Sequence, residues 1–126
     1  MAALTLTNAY HNLLKNAGQG LDNAKITYVA VGTGSAAPSA SDTKLVSESY
    51  RKKVSSYTNG AGVGELLVNG YLNANDAVGV VIGEIGYFAG NSATSAANSG
   101  ILVGRALFSH TKLGTEGIQL QGDITF

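Results

Sequence analysis

The chain has 126 residues, with eight basic and eight acidic side chains and no cysteine. A zero net charge excludes the phosphate-gathering surface of a nucleic-acid binder, and the missing cysteine excludes disulfide scaffolds and thiolate chemistry. Charged residues make up 13% of the chain, about half the ~25% of an ordinary soluble domain. Gly, Ala, Ser, Thr and Asn stand where Lys and Glu usually sit, which suits a chain packed into an assembly rather than one kept soluble by surface charge.

The length fits one domain, and no composition break marks a second, so residues 1–126 are read as a single β-rich structural unit. Met1 to Leu6 lacks the basic start and long apolar stretch of a signal peptide. No apolar run reaches membrane-spanning length. The expectation is synthesis in the cytoplasm, without a classical export signal and without membrane insertion.

In chain order, the first element is a helix over about residues 7–17. Thr7 is its N-cap, and Leu6, Tyr10, Leu13, Leu14 and Ala17 recur at helical spacing before Gly18 and Gly20 stop it. Strands are predicted next over Ile26 to Val31, Glu48 to Tyr57, Gly64 to Leu72 and Val78 to Phe88. Between the first two lies a loop from Ser35 to Thr43 that holds the single proline, Pro38. After Phe88 comes a low-complexity stretch, Ala89 to Gly100, made of Ala, Gly, Asn, Ser and Thr alone. It reads as an exposed loop with little part in stability, because it has little apolar surface to bury. Ile101 to Ser109 and Gly117 to Phe126 close the chain. In the last, Ile118, Leu120, Ile124 and Phe126 face one way and Gln119, Gln121, Asp123 and Thr125 the other. The predicted fold is mostly β, an antiparallel β-sandwich or partly closed barrel of about six strands with one short N-terminal helix.

Several motifs touch on chemistry. Gly32-Thr33-Gly34-Ser35-Ala36-Ala37 follows a strand and matches the dinucleotide fingerprint in form. That fingerprint needs a helix opening inside it, and Pro38 with the residues after it argues for a loop, so the run is read as a turn and no cofactor is expected. Gly62-Val63-Gly64 lacks the Gly-Lys-Ser/Thr ending of a phosphate loop. His11 and His110 stand alone, without a partner at metal-ligand spacing, so no metal is expected. With no nucleophile elbow either, no catalytic residue is assigned. Tyr57, Tyr71 and Tyr87 lie in strands or at their ends, and they raise a rival reading as a carbohydrate- or receptor-binding β module.

Glu84 and Arg105 are the charges of interest, since each interrupts an apolar strand. A hairpin around residues 89 to 100 that sets Phe88 opposite Ile101 brings Glu84 opposite Arg105, as a structural ion pair. Ile124 and Phe126 are a candidate interface. A terminal strand with an unpaired edge invites association, and both side chains are expected to be buried in the core or against a neighbouring subunit.

The run Ile26-Thr27-Tyr28-Val29-Ala30-Val31-Gly32-Thr33-Gly34, followed by Pro38, Asp42-Thr43-Lys44-Leu45, Glu48 and Arg51, resembles the opening of small virion proteins of tailed bacteriophages. Ile82-Gly83-Glu84-Ile85-Gly86-Tyr87-Phe88, Gly100-Ile101-Leu102-Val103-Gly104-Arg105-Ala106-Leu107 and the final alternating strand extend the resemblance over nearly the whole chain. It implies a non-enzymatic building block of tail-fibre-like, tail-collar-like or capsid-decoration type. Such a block is a homo-oligomer, often a trimer, whose partners are itself and other virion proteins and whose location is the virion. The chain departs from the pattern after Phe88, where relatives carry an acidic residue in the turn and Ala89-Gly90 opens a long loop here. No role for that loop carries over. A fibre shaft needs repeats or coiled-coil heptads, which are missing, so an adaptor, knob or decoration fits the length better.

Overall fold

A computed structural model describes residues 2–126. The chain forms β1 (Ala2–Ala3), β2 (Thr5–Leu6), α1 (Asn8–Gly18), β3 (Ile26–Gly32), β4 (Glu48–Lys53), β5 (Ser56–Asn59), β6 (Glu65–Leu72), β7 (Val81–Ala89), β8 (Ile101–Thr111) and β9 (Ile118–Thr125). The strands make a five-stranded sheet of order β2-β8-β7-β3-β4 and a four-stranded sheet of order β1-β9-β6-β5. The fold is mostly β and sandwich-like, with one short N-terminal helix and no closed barrel.

At each side edge of the sandwich one stretch of chain changes sheets. Leu4, between β1 and β2, donates its N–H to Asp123 O at 3.1 Å. Val54 and Ser55, between β4 and β5, donate to Thr27 O in one sheet and Asn69 O in the other, at 2.9 and 2.7 Å. This break corrects the single strand expected over Glu48 to Tyr57. Both backbone donors of the corner are satisfied, each by a different sheet.

The core between the sheets sets Val29, Val31, Ile82, Ile85, Tyr87 and Val103 with Val68, Leu72, Leu120 and Ile124, all buried. The Tyr87 ring lies so close to Gly122 that a Cβ there would stand 2.6 Å from its Cε1. The helix closes part of this core. Thr7 Oγ1 accepts the Tyr10 N–H at 3.0 Å and donates to Leu102 O at 2.5 Å, so one hydroxyl both caps α1 and ties it to β8. Tyr10 and Leu13 then bury against the sandwich.

One expectation for the C-terminus needs correction, and another is met in part. β9 pairs along its whole length with β6 and, at Gly122 and Asp123, with β1, so it is no loose edge there. Ile124 is buried in the core, as expected; Phe126 is 54% exposed on the single chain, so of its two expected covers, core or neighbouring subunit, the core is not the one used. Phe126 follows the last strand residue. Its N–H bonds Gly64 O at 2.9 Å, and its ring lies tilted against that of Tyr10, centroids 6.2 Å apart.

The β7–β8 register also differs from the expected one. Ala89 pairs with Ile101 and Phe88 with Leu102, and an irregularity after Tyr87 adds one more residue of offset. Glu84 therefore faces Leu107, and Arg105 faces Gly86. The total shift is two residues, an even number, so both charges remain on the same face of the sheet.

Candidate functional site

That face is the outer side of the five-stranded sheet, and the segment 33–47 crosses it as a strap. Leu45 of the strap buries with Ala30, Phe88 and Leu102 in a second, smaller apolar cluster. Glu84 fastens the strap. Its Oε2 accepts the N–H groups of Gly34 and Ser47 at 3.0 and 2.8 Å, and its Oε1 accepts that of Val46 at 2.9 Å. Arg105 reaches it diagonally across the ladder, Nε and Nη2 each 3.0 Å from Oε1. The remaining guanidinium donors go to the strap as well, Nη1 to Asp42 Oδ2 at 2.9 Å and Nη2 to Ala36 O at 3.0 Å. Glu84 is 0% exposed and Arg105 1%.

Burial pushes the Glu84 carboxyl up, but the N–H donors of Ser47, Val46 and Gly34 and the Arg105 guanidinium outweigh it, and the net displacement is downward. Asp42 behaves alike: partial burial raises it, while the Ser39 N–H and Arg105 lower it further. Both carboxylates are therefore charged at neutral pH.

The glycine-rich turn is explained by this carboxylate. A Cβ on Gly34 would lie 2.5 Å from Glu84 Oε2, and one on Gly32 2.3 Å from Ser47 O. The run is a turn, as expected, and the anion its Gly34 N–H meets is the chain's own Glu84 side chain.

Sequence reasoning missed a second buried cluster. Arg51 grips Glu48 with two parallel bonds, Nε to Oε2 at 2.9 Å and Nη2 to Oε1 at 2.8 Å. Its Nη1 bonds Thr94 O, Ser99 O and Ser99 Oγ at 2.9–3.0 Å, and its guanidinium stacks 4.2 Å above the Phe88 ring. Asn98 donates its N–H to Glu48 Oε1 at 3.2 Å. The stretch after Ala89 is exposed over most of its length, as expected, yet it is pinned at Thr94, Asn98 and Ser99, and Ala89 itself is a buried strand residue. The missed signal is a parity change. Pairing slips between Val31 and Gly32, so Tyr50 faces Val31 while Glu48 faces Gly32, and the extra residue brings Glu48 onto the same face as Arg51. The basic run Arg51-Lys52-Lys53 is accordingly split, with Lys52 turned to Asp76 at 2.6 Å.

Elsewhere, Lys112 is wholly buried and donates to Ala74 O and Leu113 O at 3.1 and 2.8 Å. His110 Nε2 lies 2.9 Å from Glu116 Oε2, whereas His11 is exposed on α1. Among the described residues, no three His, Asp or Glu side chains gather as metal ligands, and no helix is long and apolar enough to cross a membrane. A cleft of about 440 Å³ opens between the sheets, lined by Pro38, Ile85, Ala106, Phe108, Leu120 and Gln121 among others. On the outer face of the four-stranded sheet, Gln121 donates to Asn69 Oδ1 at 2.7 Å, and Asn69 donates to Ser56 and Thr58. Tyr71 stands beside this amide row, 45% exposed, while Tyr87 is fully buried. Tyr57, half exposed, donates its hydroxyl to Ile26 O.

In comparisons with known proteins, no family model, no curated protein and no solved structure matches the chain.

Proposed function

We propose that this chain is a non-enzymatic structural component of a tailed-phage virion, tail- or fibre-associated, which acts by self-assembly and by docking on the particle. A decoration or head-fibre role on the capsid is the nearest variant of the same reading. The observation that carries it is the Glu84–Arg105 clasp. A buried acid and base of this kind are the usual raw material of a catalytic dyad. Here three strap N–H groups, Asp42 and Ala36 O surround the pair, and every contact holds chain to chain. The resemblance noted in the sequence supplies the particle. Immunogold microscopy of tailed-phage particles from the source of this sequence, using antibody to the purified chain, tests the proposal. Label on the tail or its fibres is the expected result, label on the shell selects decoration, and unlabelled particles refute the virion role.

A second reading is favoured by one specific feature, the exposed Tyr71 beside the Gln121–Asn69–Ser56/Thr58 row. An aromatic ring flanked by amides and hydroxyls is the chemistry that recognises sugars. Binding on a glycan array that is lost in Tyr71→Ala supports a glycan-binding module, and an array without signal refutes it.

A further inference from the structure

We infer that the outer face of the four-stranded sheet and the cleft beside it form one site, for a neutral oligosaccharide lying across β9. The inference rests on the glycan-binding reading above and names its ligand class and its seat.

The strand register aligns Ser56 of β5, Asn69 of β6 and Gln121 of β9 in one row, about 10 Å long at the ordinary strand spacing. Asn69, only 7% exposed, is engaged at both ends of its amide. Its Oδ1 accepts from Gln121 Nε2 at 2.7 Å, and its Nδ2 donates to Ser56 Oγ and Thr58 Oγ1 at 3.3 and 3.1 Å. The row therefore has a direction. The exposed hydroxyls of Ser56 and Thr58 serve Asn69 as acceptors, so each keeps its O–H to donate, and Gln121 keeps its amide oxygen to accept. A sugar hydroxyl both donates and accepts, so neighbouring hydroxyls of one ligand satisfy both ends. Asn69 holds the row in place beforehand, which lowers the ordering cost of binding.

Gln121 also lines the cleft, together with Gln119. β1 covers the far edge of β9 at Gly122 and Asp123 alone, and the cleft opens beside the uncovered part. Its volume of about 440 Å³ falls in the range of small-ligand pockets. Ile85, Ala106, Leu120 and Phe108 give it apolar and aromatic surface, against which the C–H face of a sugar ring packs. Row and cleft lie on opposite sides of Gln121, so a ligand that fills both crosses β9 and has more than one ring. Tyr71, opposite Gln119 in the ladder, borders both parts. Charge then selects among oligosaccharides. No residue lining the cleft is charged. The outward residues of β5, β6 and β9 include Glu65 and Asp123 but neither Lys nor Arg. A sulfated or sialylated chain would meet repulsion there without a compensating cation.

A printed array of matched oligosaccharides, each with and without one sulfate or sialic acid, tests this on the full chain. The neutral members should bind at least ~10-fold more tightly than their acidic partners. Gln121→Ala, which removes the row's acceptor and part of the cleft lining, should weaken neutral binding ~10-fold. Gln119→Arg, at an exposed position, sets a cation beside the same site, so the acidic members should gain and the preference narrow. A gain of that kind cannot come from a damaged fold. Tighter binding of the acidic members by the wild-type chain overturns the inference and keeps the glycan reading. Neutral binding that is lost in Tyr71→Ala but unchanged in both glutamine variants overturns this site and likewise keeps that reading. An array without any signal overturns both.

Discussion

Replacing Glu84 by Gln keeps the side chain's shape and removes its charge. One amide oxygen can still accept a strap N–H, but the amide NH2 then points at the N–H donors of Gly34 and Ser47, or of Val46, and cannot accept from them. Arg105 loses its nearest counter-charge while staying buried, with Asp42 alone to balance it. Breaking a buried pair from one side costs about 3–5 kcal/mol. For a chain of 126 residues, an unfolding entropy of about 2.1 cal/mol/K per residue gives roughly 0.26 kcal/mol per degree, so the melting temperature should fall by about 12–19 °C. Calorimetry measures the fall, and hydrogen exchange should show residues 34–47 losing protection first. The double variant Glu84→Leu/Arg105→Leu removes both charges but still strands three strap N–H groups, so it should remain destabilised by several kcal/mol. A Glu84→Gln protein melting within about 2 °C of wild type refutes the claim that this carboxylate holds the strap.

Three further outcomes are expected. Arg51→Ala leaves Glu48 buried without its counter-charge and frees the Thr94 and Ser99 carbonyls, so it should cost about 3–5 kcal/mol in a denaturant titration and deprotect residues 91–99 to exchange. The Asp76 carboxyl is drawn down to about 2, chiefly by Lys52, against a partial upward push from burial. Its folded value lies below its unfolded one, so its stabilisation is present above about pH 4 and lost as pH falls toward about 2. A melting curve series in Asp76→Asn should therefore be flatter over that interval than in wild type. Ile124→Ala should cost about 2–5 kcal/mol because the side chain is fully buried. Removal of the half-exposed Phe126 should cost less, and equal losses in thermal melts would contradict the burial of the two.

The sequence was legible where periodicity governed. Thr7 as a cap, the α1 spacing and the alternation of β9 follow from side-chain direction alone. What it hid were offsets of one residue. The irregularities in β7–β8 and at the top of β3–β4 depend on how strands meet, and no single strand encodes them. The Glu84–Arg105 contact was reachable despite a wrong register, because the error was even and the side chains are long. Glu48–Arg51 was not, because a separation of three residues in a regular strand puts the two on opposite faces. The pinned loop after Ala89 followed from that omission. Its residues bury little, and its order comes from Arg51, a side chain on another strand.

The few charges in this chain are spent unevenly. Of the sixteen acidic and basic side chains, Asp42, Glu48, Arg51, Lys52, Asp76, Glu84 and Arg105 are tied in ion pairs within the fold, and Lys112 is buried on backbone carbonyls. Half of an already small set therefore contributes little to the outer field. A sandwich needs its crossing segments held down, since backbone left in loops gains nothing from a ladder. Here the strap, the segment after Ala89 and the turn at Asn73 to Asp76 are each held by one or two of these charges. A surface stripped of charge in this way is poorly defended against strand pairing. The same sequence economy that fastens the loops leaves the outer surface weakly charged, which suits the self-assembly proposed for the chain.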